Sequence, residues 1–119
     1  MTTDTNWRSP CPISTSLEIF GDKWTLILLR DMFNGKTKYG EFLQSPERIT
    51  TNILATRLAT MTRHGIAQKQ LYQSNPKRYE YILTDKGKGL HPILVSMCHW
   101  GNEHYPDTWI APAHFMEKV

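Results

Sequence analysis

Between Trp24 and Phe33 the chain places Trp24, Leu26, Ile27, Leu28, Leu29, Met32 and Phe33 so that a helix through them is apolar on nearly every side. A helix without a polar face has to be enclosed. In a chain of 119 residues, enough for one modest core but not for two, such a helix belongs at the centre and everything else must pack around it. Its longest unbroken apolar run, Leu26 to Leu29, is far shorter than the ~20 residues a bilayer crossing needs, and Arg30 and Asp31 close it. Residues Met1 to Ser9 are polar and lack the apolar stretch of a secretory signal, so a cytoplasmic location is expected, with no membrane partner. In that reducing compartment Cys11 and Cys98 are individual thiols rather than a disulfide framework.

On the N-terminal side of the central helix, Ile13, Leu17 and Phe20 recur at helical spacing, with Thr15 and Glu18 placed as a capping box. Asn34 and Gly35 supply left-handed residues to end the central helix. A short helix follows over Tyr39 to Ser45, with Phe42 and Leu43 inward, and Ser45-Pro46 ends it. After a tight turn, Thr50 can cap a new helix whose inner stripe is Leu54, Leu58 and Met61, stopped by Gly65. This is helix, turn, helix. Next come two strands, Ile66 to Gln73 and Arg78 to Thr84, joined by Ser74-Asn75-Pro76 as a hairpin with a basic tip. From Thr84, a good N-cap, to about Tyr105 the apolar spacing predicts one long helix kinked at Pro92. The tail after Pro106 has no clear period. The fold class is therefore α+β, a winged helix-turn-helix, with an arm over residues 1–10, a folded body over 11–105 and a tail over 106–119.

A helix fits the major groove of B-DNA, where base edges distinguish all four pairs. The outward face of the second helix of the pair presents Asn52, Thr56, Ala59 and Arg63, with Thr51 beside them at its N-terminal end. These groups are small, polar or cationic, and Asn suits bidentate bonding to adenine. Lys77 and Arg78 at the hairpin tip can reach phosphates or the minor groove. Lys38 and Arg48 flank the first helix of the pair and Arg57 lies at the edge of the inner stripe; these three read either as further backbone contacts or as solvated surface. Charge is distributed in the same sense: residues 48–88 carry +6, residues 1–47 carry −1 and residues 89–119 carry −2. A cationic middle between acidic flanks suits a protein with one face toward double-stranded DNA, although a solvated surface would look the same on charge alone.

Several stretches together resemble the HxlR family of winged-helix regulators. They are Cys11-Pro12, Gly21 through Leu28, Tyr39-Gly40-Glu41-Phe42, Ile49 through Leu58, and Pro76 through Thr84 before Gly87, spanning roughly residues 11 to 101. The resemblance implies a bacterial homodimer whose N- and C-terminal helices form the interface and whose two recognition helices reach successive major grooves of a pseudo-palindromic operator. It also implies that Cys11, in the arm before the first helix, senses oxidants or electrophiles. Two departures stand out: Ser45-Pro46-Glu47-Arg48-Ile49 occupies the turn where related sequences often carry a glycine, and Asn52 stands where a cation is common.

Physically, a thiol near a helix N-terminus has its thiolate favoured by the dipole, and Arg8 acts in the same direction. The plainer reading of Cys11 is packing against a partner subunit. Cys98 falls on the apolar stripe of the last helix and reads as core or interface, though it is the other thiol available for pairing. His64, His91, His99, His104 and His114 are scattered, so no metal site is expected, and no cofactor is implied. Trp24, Trp100, Tyr39 and Tyr81 read as core and interface fillers. With no phosphate-binding glycine loop, no nucleophile elbow and no acid–base carboxylate pair, a regulator is expected rather than an enzyme. Two alternatives stay open at this level: a winged helix that binds proteins instead of DNA, and a small-molecule-responsive regulator without a thiol switch.

Overall fold

The computed structural model describes residues 6–117. The element order is α1 (Pro12–Phe20), α2 (Thr25–Phe33), α3 (Tyr39–Phe42), α4 (Thr51–Arg63), β1 (Ala67–Ser74), β2 (Lys77–Leu83), α5 (Asp85–Lys88), α6 (His91–His104) and α7 (Ala113–Met116). As its composition requires, α2 is the centre: Leu28, Leu29, Met32 and Phe33 are buried, with Phe42 of α3 and Leu54, Leu58 and Met61 of α4 closing over them. Ile66, Ala67 and Tyr81 extend this core into the base of the hairpin. Asp22 starts α2 by accepting from the backbone N–H groups of Trp24 and Thr25, both at 2.9 Å, and from the Thr25 hydroxyl at 2.6 Å. Those donors would otherwise be orphans of the first turn.

The short α3 is held by Glu41, whose Oε1 accepts from the Thr37 and Lys38 amides at 2.8 and 3.0 Å. The Thr50 hydroxyl caps α4 by accepting from the Ile53 amide at 3.4 Å, and Gly65 leaves it at φ +73°. In the hairpin the strands pair antiparallel, from Ala67↔Leu83 to Ser74↔Lys77, with a bulge between Leu71 and Gln73. The Tyr81 amide also donates to the Thr37 carbonyl at 2.8 Å, which ties the wing to the segment leading into α3.

Several expectations change. No capping box forms at Thr15 and Glu18: α1 already starts at Pro12, whose fixed φ and missing N–H suit the first helical position, and Cys11 is the N-cap without a side-chain bond. Glu18 instead accepts from the Arg8 amide at 3.0 Å. At the end of α2 only Gly35 is left-handed, at φ +95°, while Asn34 stays at −89°. Both strands differ from expectation by a residue at each end, because Thr84 leaves the ladder to cap α5, where its hydroxyl accepts from the Gly87 amide at 3.1 Å.

The single kinked helix expected after Thr84 is two helices, broken at Gly89-Leu90. Pro92 lies in the first turn of α6, where a missing N–H is harmless, rather than inside a helix, where it would remove a bond. The segment after Pro106 returns to the body: Phe115 of α7 is buried, and its carbonyl oxygen meets Nε2 of the buried His91 at 2.7 Å.

A Cβ on Gly87 would lie far inside contact distance of the Ile66 carbonyl oxygen, so α5 packs against the link between α4 and β1 only because residue 87 has no side chain. Gly87→Ala is expected to destabilise by about 2 kcal/mol through overpacking, read as a lower urea midpoint at unchanged slope. An unchanged midpoint would show that the α5 approach is slack.

Candidate DNA-binding surface

The surface is built outward from a buried carboxylate. Asp31, at the C-terminal half of α2, is only 3% exposed. One of its oxygens accepts from the Ser45 hydroxyl and the other from Nε and Nη2 of Arg30, at 3.0 and 2.9 Å. Arg30 in turn grips Glu47 with both terminal nitrogens, at 2.7 and 2.9 Å. The central helix is thus bonded to residues 45 and 47 of the turn leading into α4. In that turn Arg48 adopts φ +63°, taking the left-handed conformation for which a glycine is usual, and its amide donates to the Ser45 carbonyl at 3.0 Å. A non-glycine residue there is strained and persists only where its surroundings hold it; the Asp31, Arg30 and Glu47 contacts supply that hold.

With its start fixed, α4 turns Leu54, Leu58 and Met61 inward and leaves Thr51, Asn52, Thr56, Ala59 and Arg63 exposed, as the spacing predicts. The Thr56 hydroxyl donates to the Asn52 carbonyl at 3.0 Å, so its oxygen remains an acceptor toward solvent. Asn52 has no side-chain partner among the described residues, which leaves its amide available. Lys77 and Arg78 are exposed where the hairpin turns, and Arg48 is exposed at the opposite end of the lead-in to α4.

Two predicted contacts stand differently. Arg57 points back toward the start of α2, with Nη1 3.6 Å from Oδ1 of Asp22, and is half-buried. Lys38 places Nζ 4.7 Å from the centre of the Tyr72 ring, at the bulge in β1. Lys69 of β1 does the same over Tyr79 of β2 at 4.4 Å, a cation absent from the sequence expectation although it shares the hairpin. Sequence reasoning also missed the Arg30, Asp31, Ser45 and Glu47 cluster. Its only sequence signal is two adjacent charges closing an apolar run.

Cys11 is exposed and Cys98 half-buried, both as free thiols. Trp24 and Tyr81 pack with the core as expected, whereas Tyr39 is partly exposed and Trp100 is 61% exposed. His64 ends α4 beside Trp7, ring centres 6.3 Å apart; burial, then the neighbouring Arg63 and Lys86, lower its pKa. No group of histidine, cysteine and carboxylate side chains suited to a metal occurs among the described residues. No described helix is long and apolar enough to cross a membrane.

The family model for the HxlR-like helix-turn-helix matches residues 19–108. The chain belongs to this family of transcriptional regulators. It is 37% identical over 97 residues to the HTH-type transcriptional regulator YdeP of Bacillus subtilis, covering 82% of this chain and 75% of YdeP. It is 34% identical to YybR of the same organism, covering 82% and 78%. Among solved structures, PA1607 superposes with a TM-score of 0.78 at 37% identity, covering 87% of this chain and 73% of PA1607. The redox regulator HypR in its oxidised form gives 0.71 at 34%, covering 78% and 96%. The winged-helix assignment of this HxlR-type chain follows from these matches together with the α4 and hairpin arrangement above.

The Arg30 guanidinium beside Glu47 holds that carboxyl below its ordinary value of 4.5. A carboxyl with a depressed folded-state pKa stabilises above its unfolded value, and that stabilisation is lost as pH falls through the folded value. Glu47→Gln is therefore expected to be less stable than the parent at pH 7 and to converge with it as pH drops below 4.5. Parallel thermal melts across that range check it; a constant gap would remove Glu47 from the link.

Proposed function

We propose that this HxlR-type protein is a cytoplasmic homodimer that reads a pseudo-palindromic operator, laying α4 of each subunit in a major groove and the hairpin tip on the flanking backbone. The reading rests on one observation: α4 is locked into the core by one face and by its lead-in turn, while Asn52, Thr56, Ala59 and Arg63 stand exposed on the other. In this proposal Thr51, Asn52 and Thr56 meet base edges, with Asn52 able to pair both its donor and its acceptor with adenine. Arg48, Arg63, Lys77 and Arg78 meet phosphates, and Lys38 adds to the field beside the wing. Arg57, engaged by Asp22, acts as a brace for α4 rather than as a direct contact.

Dimerisation is supported by apolar side chains left in solvent on the terminal helices, Ile13 and Leu17 on α1 and Met97 and Trp100 on α6. Apolar surface of this kind on a small chain marks an interaction site. We assign residues 11–105 to the DNA-binding and dimerising body, flanked by the arm and tail. Nothing in the proposed function calls for catalysis.

Cys11, exposed in the arm at the N-cap of α1, is the proposed sensor. HypR, with which the chain shares 34% identity, is a redox regulator solved in both oxidised and reduced forms. Two thiols, Cys11 and one from the partner subunit, would lose two electrons and two protons to an oxidant such as diamide, which becomes the hydrazine. The disulfide formed would re-angle α1 and with it the two recognition helices.

Selection from a random duplex library followed by titration tests the reading. Asn52→Ala is expected to relax preference at one position, a cost of about 1–3 kcal/mol against the preferred base. Lys77→Ala with Arg78→Ala should weaken all sequences alike and reduce the salt slope by about 2. Failure to enrich any motif at moderate salt would favour a protein-binding winged helix instead. Cys11→Ser should keep operator affinity while abolishing the response to diamide, and a diamide response surviving in Cys11→Ser would overturn the sensor role.

A further inference from the structure

A groove of about 580 Å³ lies between α2, α6 and the returning tail. Its walls are apolar, formed by Leu26 and Ile27 of α2, Leu94 and Met97 of α6, and Ile110 and Phe115 of the tail. The tail holds its shape through Asn102, whose Nδ2 donates to the Thr108 hydroxyl at 2.9 Å and to the Trp109 carbonyl at 3.0 Å. The polar lining is Asn34, Asn102 and Thr108 together with the charged side chains of Arg30, Asp31 and Lys36. Asp31 is buried and bonded to Ser45 and Arg30, and Arg30 is held by Glu47, so neither offers a free charge. Lys36 forms no ion pair among the described residues. The groove therefore combines an apolar body with one cation at its edge, Lys36, which acts on Glu41 and Glu47 only at longer range than an ion pair.

We infer that this groove binds a small amphipathic acid, an aromatic or branched apolar body carrying one carboxylate, with Lys36 taking the carboxylate. Volume and lining fall within the range of small-molecule sites, which bury an apolar body and fix it by a few polar groups. An apolar segment of a second copy would not need the cation, and a neutral ligand would leave it unused; charge complementarity selects the acid. The rim residues Arg30 and Asp31 are the same ones that hold residues 45 and 47 ahead of α4. Occupancy of the groove thus bears on the set of α4, a consequence that rests on the proposed DNA reading, whereas binding of the acid does not.

Calorimetric titration of the 119-residue chain with 2-naphthoate and with its neutral counterpart 2-naphthamide tests the site. Saturable binding of naphthoate with a dissociation constant below about 1 mM is expected, with naphthamide at least about tenfold weaker and Lys36→Met removing that difference. Gly101→Leu supplies a blocked site that should still fold: Gly101 lines the groove within α6, a Cβ there meets nothing within 4 Å, and leucine is the better helix former. It should abolish binding while leaving the melting temperature equal or higher. Equal affinity for acid and amide, binding that survives in Gly101→Leu, or no saturable binding to the parent protein would each overturn the proposal. If Gly101→Leu instead dissociates a dimer and naphthoate does not bind, the groove is covered by a second copy and the proposal falls. Operator affinity with and without naphthoate is then measured separately, so that loss of DNA binding is distinguished from loss of the acid site.

Discussion

The arrangement of the surface proposed to face DNA depends on one buried carboxylate. Asp31 sits inside the molecule, bonded by the Ser45 hydroxyl on one side and by the Arg30 guanidinium on the other, and Arg30 carries the link on to Glu47. A buried charge deprived of one partner costs about 3–5 kcal/mol, which is why such a cluster is all or nothing. Here it bonds the enclosed central helix to the turn that launches α4. A packed apolar contact could slide by an ångström at little cost; a bidentate guanidinium–carboxylate pair is directional and cannot. The left-handed Arg48 fits the same logic, since a strained residue needs neighbours that fix it on both sides.

Around that link, the remaining ties are of a similar kind. Asp22 caps α2 and reaches Arg57 of α4, so the N-terminal end of one helix is joined to the middle of the other. The Thr37 carbonyl accepts from Tyr81, joining the wing to the segment before α3, and Thr84 and Gly87 bring the start of α5 against the Gly65-Ile66 backbone. The helix α4 and the hairpin are consequently fixed relative to each other through the central helix, as the proposed two-point reading of a duplex requires. The other side of the molecule, comprising α1, the outer face of α6 and the tail, is more apolar and more exposed. Dimerisation and ligand entry are both proposed there, and the Arg30–Asp31 rim is where that side meets the α4 lead-in.

How legible this was in the sequence differs from element to element. The 3.6-residue stripe of Leu54, Leu58 and Met61 set both the burial and the outward face of α4, because one periodic surface on a helix dictates the other. Wherever a local rule had a tertiary competitor, the expectation shifted. Glu18 looked like a capping residue and serves the Arg8 amide instead; Arg57 read either as a DNA-backbone contact or as solvated surface and faces Asp22. In each case a charged or polar side chain had more than one reachable partner, and local spacing does not choose among them.

The sequence by itself determined that a wholly apolar helix must be enclosed, that a helix-turn-helix and a basic hairpin follow it, and which face of the second helix of that pair stays polar and outward. These follow from periodicity and turn chemistry, which act over a few residues. Only the tertiary structure decided that Arg30, Asp31, Ser45 and Glu47 form one cluster, that Phe115 returns to the core, and that a groove opens beside Lys36. Those features join residues 14 to 24 positions apart or more, and such pairings are set by how packed helices bring distant side chains together, a geometry that no short window of sequence contains.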